Sequence, residues 1–350
     1  MKTSVMIGGA TFTDMGGMKE FVQLAERLGI DYAWSAEGWG QDAVTSLAYL
    51  AGQTSRIRLG TGIMQISART PSMTAMTALA LHDLTVGRFI LGLGTSGPQV
   101  VEGLHGTHFA SPLTRLKETV DICRMAFRGE KLHYQGRFHR LPLPGSEGKS
   151  LRIDYPKTHI PADIPIFLAT LAPKALEYTG AAADGWLGTS FSPDHPEAHL
   201  SYIKKGATAA DRSPRQVALH TACTISIGTN VEELIEARKP DIAFSLGAMG
   251  SANRNFYNSA IRRAGFEDDV KAVQQLWLDG KRNQAAQRVP DSIVTQFAAI
   301  GTAEMVRERL LKYRSAGING LILRVVATDL LDRMAKLEEV MDIITDIDTP

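Results

Sequence analysis

The chain has little cysteine, with two among its 350 residues. Cys123 and Cys223 lie far apart, and neither belongs to a CxxC pair or to a Cys/His pattern with zinc-finger spacing. A disulfide framework and a structural zinc site therefore have no support in the sequence. We expect two buried, unreactive thiols, because free cysteine usually behaves as a small hydrophobic residue.

An excess of charge and a long apolar run are also missing. The 38 Lys and Arg residues against 37 Asp and Glu residues leave a formal net charge of +1. Composition therefore gives no case for nucleic acid or an anionic membrane as a partner. The longest apolar runs, such as 88–94, are too short to cross a bilayer, and residues 1–9 lack the apolar segment of a signal peptide. We expect a cytoplasmic protein that acts on a small molecule.

Short apolar runs alternate with longer segments of helical spacing along the chain. This alternation is typical of parallel strands joined by crossover helices. The strand-like runs lie at 4–8, 32–35, 57–63, 89–93, 166–169, 185–187, 217–227 and 321–326. Eight strands predict an α/β fold, a single (β/α)8 TIM barrel domain over residues 1–350, with a doubly wound sheet as the alternative.

Two stretches interrupt this alternation, and we interpret both as insertions into the barrel. Residues 129–164 are rich in glycine and proline and include the hairpin-like run HYQGRFHRL at 133–141. Residues 230–299 contain helical pieces but no good strand candidate. Among the predicted helices, Asp42 suits an N-cap and Pro71 suits a first helical turn.

A TIM barrel carries its chemistry at the carboxyl ends of its strands, where Glu37 and the run GLGTSG at 92–97 fall. Glu37 lies between Trp34 and Trp39, where burial would favour its protonated form and make it a general acid; a surface turn is the alternative. GLGTSG follows the fourth strand and meets Pro98, so a Rossmann fingerprint is disfavoured. Its small residues suit either contact with a cofactor phosphate or a plain turn.

Other motifs are weaker. The turn from Ala172 to Lys174 opens a helix and suits either an anion or plain helix initiation. His105 and His108 would need a third ligand such as Glu102 to bind a metal, and loop histidines more often form hydrogen bonds, so we expect no metal. The absence of G-x-S-x-G and H-E-x-x-H removes the usual support for serine hydrolases and zincins.

Four runs resemble the luciferase-like monooxygenase superfamily, and in particular its coenzyme F420-dependent branch. They are SAEGWGQDA at 35–43, RIRLGTGIMQISARTP at 56–71, LGLGTSGPQVVEGLHG at 91–106 and LAPKALEYTGAAADGW at 171–186. Weaker similarity continues through 238–256, 289–294 and 316–323, so it covers nearly the whole chain. The segment SGPQVVEG is the most specific piece. The resemblance implies a (β/α)8 barrel with insertions, in agreement with the strand count.

The resemblance also implies where the coenzyme lies. Its deazaflavin ring is expected against a cis peptide bond between Gly62 and Ile63, with Gln65 near the same face. Glu37 takes the position of a catalytic or ring-contacting residue. The phosphate end is expected at Thr95 and Ser96 and at the backbone amides around Ala172, Lys174 and Ala175. The substrate pocket is expected beside His105, His108 and the loop 247–256.

The activity implied by the resemblance is hydride transfer between C5 of F420 and an unidentified small organic substrate, with Glu37 as the proton source, in a homodimer. Alternatives are an FMN-dependent monooxygenase that uses dioxygen, a non-catalytic flavin-binding barrel, and an unrelated phosphate-binding barrel such as an aldolase. F420-dependent sugar-phosphate dehydrogenases carry an acidic residue where this chain has Gly97 and Pro98. Oxidation of a sugar phosphate is therefore not expected.

Overall fold

The computed structural model describes residues 1–8, 12, 14–249 and 255–348. The strands are β1 Lys2–Ile7, β2 Tyr32–Ser35, β3 Arg58–Thr61, β4 Met64–Gln65, β5 Phe89–Gly94, β6 Tyr134–Gln135, β7 Arg140–Leu141, β8 Ile166–Ala169, β9 Gly185–Gly188, β10 Ala218–Ile227, β11 Ala298–Gly301 and β12 Gly320–Val325.

The α-helices alternate with the strands in the first part of the chain and cluster after β10. They are α1 Met15–Arg27, α2 Ala43–Ala51, α3 Pro71–Leu84, α4 Pro112–Phe127, α5 Pro173–Ala182, α6 Glu197–Ala209, α7 Val231–Gly247, α8 Phe256–Arg263, α9 Glu267–Leu278, α10 Arg282–Gln287, α11 Asp291–Phe297, α12 Ala303–Ser315 and α13 Leu330–Asp348. A π-helix spans Gln99–Leu104.

The parallel strands follow one another in the order β1-β2-β3-β5-β8-β9-β10-β12, and β12 pairs with β1. The order therefore returns to its start. The fold is a closed (β/α)8 TIM barrel, as the strand count and the resemblance predict. The short strands β4 and β11 pair with the ends of β5 and β10 and add to the barrel strands at those two places.

Contacts divide the chain into two compact units. The first consists of Met1–Met6, Gly16–Asp31 and Thr170–Pro350, and the second of Ile7–Met15 and Tyr32–Ala169. In the second unit all six residues of β5 are buried, which explains its continuous apolar sequence, since parallel strands are covered on both faces. Gly60 is needed in β3 because a Cβ there would lie 2.3 Å from the ring of Trp34.

Local helix signals in the second unit are confirmed. Asp42 caps α2, with its side chain accepting hydrogen bonds from the backbone N–H groups of Val44 and Thr45 at 2.8 Å each. Thr70 caps α3, whose first residue is Pro71. These caps satisfy N–H groups that have no partner within the helix, so each helix begins where the sequence signal lies.

The hairpin in the 129–164 stretch is confirmed as the antiparallel pair β6 and β7. The buried carboxylate of Glu118 on α4 holds its turn by accepting hydrogen bonds from the backbone N–H groups of Arg137, Phe138 and His139 at 2.7–3.3 Å. A carboxylate that accepts several backbone N–H groups makes strong charge-assisted bonds. Glu118 therefore fixes the hairpin to α4.

In the first unit, α5 and α6 pack with their backbones in direct contact. A Cβ on Gly206 would lie 1.7 Å from the carbonyl oxygen of Glu177, and one on Gly180 would lie 2.0 Å from that of Ile203. Helices α7 to α11 form a cluster around buried residues that include Val270, Val273 and Ile293. This helical cluster occupies the predicted second insertion.

The structure corrects the sequence prediction at two places. The third strand ends at Thr61 rather than Ile63, and the chain then forms the short strand β4. The prediction of no strand up to residue 299 is wrong, because Ala298–Gly301 forms β11 beside the second half of β10.

Cys123 and Cys223 are free and buried, as expected, and burial raises the pKa of each thiol to about 12. Within the described residues, no helix has the length and apolar character that crossing a bilayer requires.

Candidate functional site

The ends of β2 and β3 are joined by backbone hydrogen bonds that bring Glu37 beside Ile63. The N–H of Glu37 donates to the carbonyl oxygen of Ile63 at 3.0 Å, and the N–H of Gly62 donates to that of Ser35 at 2.7 Å. The peptide bond between Gly62 and Ile63 is cis, which confirms the expectation from the resemblance. The two predicted residues of the cis bond and the predicted catalytic residue therefore lie together.

The carboxylate of Glu37 is paired with a cation that the sequence analysis missed. Arg69 donates from Nη1 to Oε1 at 2.7 Å and to Oε2 at 2.8 Å, and the N–H of Gln65 donates to Oε2 at 3.0 Å. The Glu37 side chain is 9% exposed and that of Arg69 is 20% exposed. These charge-assisted hydrogen bonds hold the carboxylate in a fixed position.

The indole rings expected around Glu37 differ in their surroundings. The ring of Trp34 packs instead against Tyr32 and Phe167, with ring centroids 5.6 Å apart in each case. Trp39 is 66% exposed. The basis for a protonated Glu37, which was burial beside indoles, is therefore absent from the described contacts, and its role as proton donor stays a prediction.

Gln65 is fully buried beside the pair of Glu37 and Arg69, and one of its side-chain polar atoms has no hydrogen-bond partner among the described residues. Its Nε2 donates to the backbone carbonyl oxygens of Glu37 and Gly38 at 3.1 Å each, which fixes the orientation of the amide. Its Oε1 is buried and has no hydrogen-bond partner among the described residues. Because a buried acceptor without a donor is costly, this atom suits a bound group that offers an N–H or O–H.

The end of β5 lies next to the cis peptide. A Cβ on Gly94 would lie 2.8 Å from the Ile63 side chain, so only glycine allows this approach. Thr95 and Ser96 follow, both half-buried, and Ser96 has a φ of +55°. The chain then enters the π-helix Gln99–Leu104, which agrees with the interpretation that GLGTSG is not a Rossmann fingerprint.

One of the two predicted pocket histidines lies with Thr95. A small pocket is lined by Ile66, Ser67, Thr95, Val101, Thr107, His108, Phe109, Ala110, Pro112, Arg115 and His139. His105 is not among these residues and lies exposed at the end of the π-helix. Glu102, considered as a metal ligand, accepts a hydrogen bond from the N–H of Phe109 at 2.9 Å. Within the described ranges, no group of three or more His, Cys, Asp or Glu residues is placed to hold a metal ion.

The predicted amides in the first unit lie at the start of α5. Ala172 is the N-cap residue without a side-chain cap, and Pro173 occupies the first turn. The N–H of Ala175 donates to the carbonyl oxygen of Ala172 at 2.9 Å, and the exposed ammonium group of Lys174 pairs with Glu177 at 3.1 Å. Of the predicted substrate loop 247–256, residues 250–254 lie outside the described residues.

A comparison of the sequence with known families finds a match over most of the chain. Residues 3–320 match the model of the family described as luciferase-like monooxygenase. The chain belongs to the luciferase-like monooxygenase family. This match spans most of the chain, so the resemblance stated from four sequence runs is confirmed.

One relative in sequence and two solved structures are similar to this luciferase-like chain. A Mycobacterium tuberculosis protein with the provisional name coenzyme F420-dependent oxidoreductase is 36% identical over 326 residues, which covers 91% of this chain and 93% of that protein. The coenzyme F420-dependent tetrahydromethanopterin reductase of Methanopyrus kandleri superposes with a TM-score of 0.77 at 21% identity, covering 97% of each chain. A riboflavin lyase bound to modified FMN superposes with a TM-score of 0.76 at 14% identity, covering 99% of this chain and 91% of that one. The two superpositions show the fold alone.

Proposed function

We propose that this luciferase-like protein is a coenzyme F420-dependent oxidoreductase that transfers a hydride between C5 of the deazaflavin and a small organic substrate. The observation that carries the proposal is the 36% identity, over 91% of the chain, with the mycobacterial protein named for F420. Similarity of that extent makes a shared coenzyme the simplest expectation. The proposal also requires that the residues around the cis peptide have a shape and polar groups suited to the coenzyme.

The described residues at the ends of β2, β3 and β5 fit a flat heteroaromatic ring with a polar edge. Ile63 offers an apolar side chain, which packs directly against Gly94 because that residue has no Cβ. The Oε1 atom of Gln65 is a buried acceptor that has no donor among the described residues. Cofactor sites commonly combine an apolar wall with a few fixed polar groups. The bound coenzyme would supply the carbon that carries the hydride.

The chain's own residues would orient the reactants. Glu37, held by Arg69 and by the backbone N–H of Gln65, presents a carboxylate of fixed position. We propose that it accepts a hydrogen bond from a group of the coenzyme or substrate, and that it takes up or returns a proton when the reaction requires it. A group held by two partners keeps its position during the reaction, which is how orientation contributes to rate.

Oxygen chemistry with FMN is the second candidate, because the same fold holds modified FMN in the riboflavin lyase. The first experiment is a titration of the purified protein with F420 and, separately, with FMN, following cofactor fluorescence in both redox states. We expect micromolar or tighter binding of F420 and much weaker binding of FMN. Tighter binding of FMN than of F420 would favour a monooxygenase that uses dioxygen. If neither cofactor binds, the assignment of a flavin-type cofactor is wrong.

A variant tests whether Gln65 contributes. Gln65→Leu removes the buried acceptor and should weaken F420 binding by about tenfold, the usual effect of losing one hydrogen bond in a buried site. Gln135→Leu, in the exposed part of the hairpin, is the matched control and should leave affinity unchanged. Equal affinities for the wild type and both variants would contradict the assignment of Gln65 to the coenzyme.

A further inference from the structure

The small pocket at the end of β5 lies wholly within the second unit, which contains all of its lining residues. The polar side chains that line it are Ser67, Thr95, Thr107, His108, Arg115 and His139. We call it the Arg115 pocket. Among its described lining residues there is no Asp or Glu. A pocket that holds a guanidinium group, hydroxyls and imidazoles, and no carboxylate, suits a ligand with a negative charge.

Arg115 on α4 is held in place by uncharged groups. Its Nε donates to the carbonyl oxygen of Ala110 at 3.2 Å, and its guanidinium carbon lies 4.2 Å from the centroid of the Phe138 ring. Over the described ranges, no carboxylate pairs with Arg115, and its Nη1 and Nη2 groups have no acceptor. The carbonyl and the ring fix the guanidinium group, so its two NH2 groups remain available to a ligand.

Two glutamates in the neighbouring segments already bond other groups. Glu118, which follows Arg115 on α4, accepts hydrogen bonds from the backbone N–H groups of 137–139 at 2.7–3.3 Å. Glu102 accepts one from the N–H of Phe109 at 2.9 Å. Arg115 therefore has no ion-paired carboxylate in the part of the chain that the structure describes. A bound anion would supply one through charge-assisted hydrogen bonds.

Ser67 gives a second, independent sign of a ligand in the Arg115 pocket. Its Oγ is buried and has no hydrogen-bond partner among the residues that the structure describes. A buried hydroxyl without a partner is costly, and a hydroxyl can donate to an anion. A ligand oxygen in this pocket would give Ser67 the acceptor that the described residues do not offer.

The size of the Arg115 pocket limits what can enter it. The volume open to the centre of a water-sized group is about 20 Å³, and one water molecule needs roughly 10–15 Å³ by that measure. A terminal carboxylate is a small end group, whereas the phosphate of F420 is an internal diester from which the chain continues on both sides. The pocket therefore suits the end of a substrate better than the phosphate of the coenzyme.

We propose that the Arg115 pocket binds a terminal carboxylate of the organic substrate, with Arg115 and Ser67 as its donors. Paired N–H groups of a guanidinium match the two oxygens of a carboxylate, and a hydroxyl adds another donor. The substrate is then an organic acid, and His108, expected beside the substrate, lines the pocket that binds it. This inference rests on the proposed function, because the substrate is the second reactant of the hydride transfer.

Binding of ¹³C-labelled acetate and of ¹³C-labelled acetamide to the purified protein, followed by NMR at constant ionic strength, tests the inference. The wild type should bind acetate more tightly than acetamide, which has the same shape and no charge. Arg115→Gln should bind acetate at least about tenfold more weakly, because a charge-assisted bond is lost. Arg115→Lys should have intermediate affinity. Arg128→Gln, at the exposed end of α4 where Arg128 pairs with Glu130, is the matched control and should bind acetate like the wild type.

F420 titrations of the same variants separate the substrate from the coenzyme. Unchanged F420 affinity in Arg115→Gln supports a substrate site, whereas an equal loss of F420 and acetate affinity would assign the pocket to the coenzyme and overturn the inference. It is also overturned if the wild type does not bind acetate, binds acetamide equally well, or has the same acetate affinity as Arg115→Gln. A wild type that binds acetate in the predicted way but does not bind F420 would contradict the proposed function and leave the carboxylate site supported.

Folding of each variant is checked by its circular dichroism spectrum and melting temperature. If Arg115→Gln does not fold, Ser67→Ala and Arg115→Lys take its place, since the first removes the hydroxyl donor and the second removes the paired N–H groups. Each should weaken acetate binding several-fold without changing F420 affinity. Wild-type acetate affinity in both would overturn the inference.

Discussion

Arg69 donates from Nη1 to both carboxylate oxygens of Glu37, at 2.7 and 2.8 Å. The pair is largely buried, and a third hydrogen bond from the backbone of Gln65 completes it. The three hydrogen bonds hold the carboxylate of Glu37 in a fixed position. The pair therefore has consequences for both stability and turnover.

Glu37→Gln should lower the free energy of unfolding by about 1–3 kcal/mol, because Arg69 loses its ionised partner in a partly buried place. Turnover with F420 should fall at least about tenfold, as expected when a charge-assisted contact in the transition state is lost, while F420 affinity is retained. Urea unfolding and steady-state kinetics measure the two effects. Glu130→Gln, in the exposed pair with Arg128, is the control and should change neither. Unchanged turnover in Glu37→Gln would remove Glu37 from catalysis.

Gly206→Ala should destabilise the protein by about 3 kcal/mol or more, because overpacking against backbone cannot be relieved by a rotamer change. The new Cβ would lie 1.7 Å from the carbonyl oxygen of Glu177, so α5 and α6 must separate. Thermal unfolding measures the effect. Gly52→Ala has open space around its Cβ and should leave the melting temperature nearly unchanged. A fully stable Gly206→Ala would show that the two helices can separate at little cost.

His199 should make the protein less stable in acid. Both ring nitrogens are buried without a partner in the described part of the chain, and burial, with a smaller effect of Arg263, lowers its pKa from 6.5 to about 3. Above pH 6.5 the residue is neutral in both states. Between pH 6.5 and about 3 only the unfolded chain takes up the proton, so stability falls as pH falls, by about 2 kcal/mol at pH 5.

His199→Phe keeps an aromatic ring beside Trp186 and Phe191 and removes this titration. The free energy of unfolding decreases between pH 7 and pH 5 in both proteins. The decrease should be about 2 kcal/mol smaller in His199→Phe than in the wild type. Urea unfolding at the two pH values is the measurement. His133→Phe, at an exposed position, should keep the wild-type dependence. The same dependence in His199→Phe would assign the acid sensitivity to other groups, such as the buried His220, whose pKa is lowered to about 4.

Glu118→Gln should loosen the hairpin of β6 and β7. The amide NH2 group would face the backbone N–H groups of Arg137, Phe138 and His139 in place of a carboxylate oxygen, at a cost of about 2 kcal/mol. Amide hydrogen exchange over 134–141 should become faster. Glu147→Gln, at an exposed position in the same stretch, should exchange like the wild type. Unchanged exchange in Glu118→Gln would mean that other contacts fix the hairpin.

Sequence patterns predict most of the barrel because each barrel strand is a short apolar run with its own helix. They miss β11, because the run AAIG has weak strand propensity and its partner, the end of β10, lies far away in sequence. Asp42 and Pro71 are predictable because helix caps are local signals.

For the candidate site too, residues marked by local sequence patterns are predictable, and contacts between residues far apart in sequence are not. The positions of Glu37, Gly62, Ile63 and Thr95 come from strand ends and from the family resemblance. Arg69 could not be predicted as the partner of Glu37, because pairing across 32 residues depends on tertiary structure.

The long segment between β10 and β11 leaves and rejoins the barrel at neighbouring strands. Thr224 is opposite Ala298, Ile227 is opposite Gly301, and the N–H of Gly228 donates to the carbonyl oxygen of Gly301 at 2.9 Å. Ile227, before the helical segment, and Ala298, after it, thus lie on paired neighbouring strands, and the sheet itself fixes both ends. Because closing a loop twice as long costs only about 0.6 kcal/mol more, the number and length of the helices in this segment can change at little cost. Such a change leaves the register of β10 intact, since that strand keeps its own partners in the sheet.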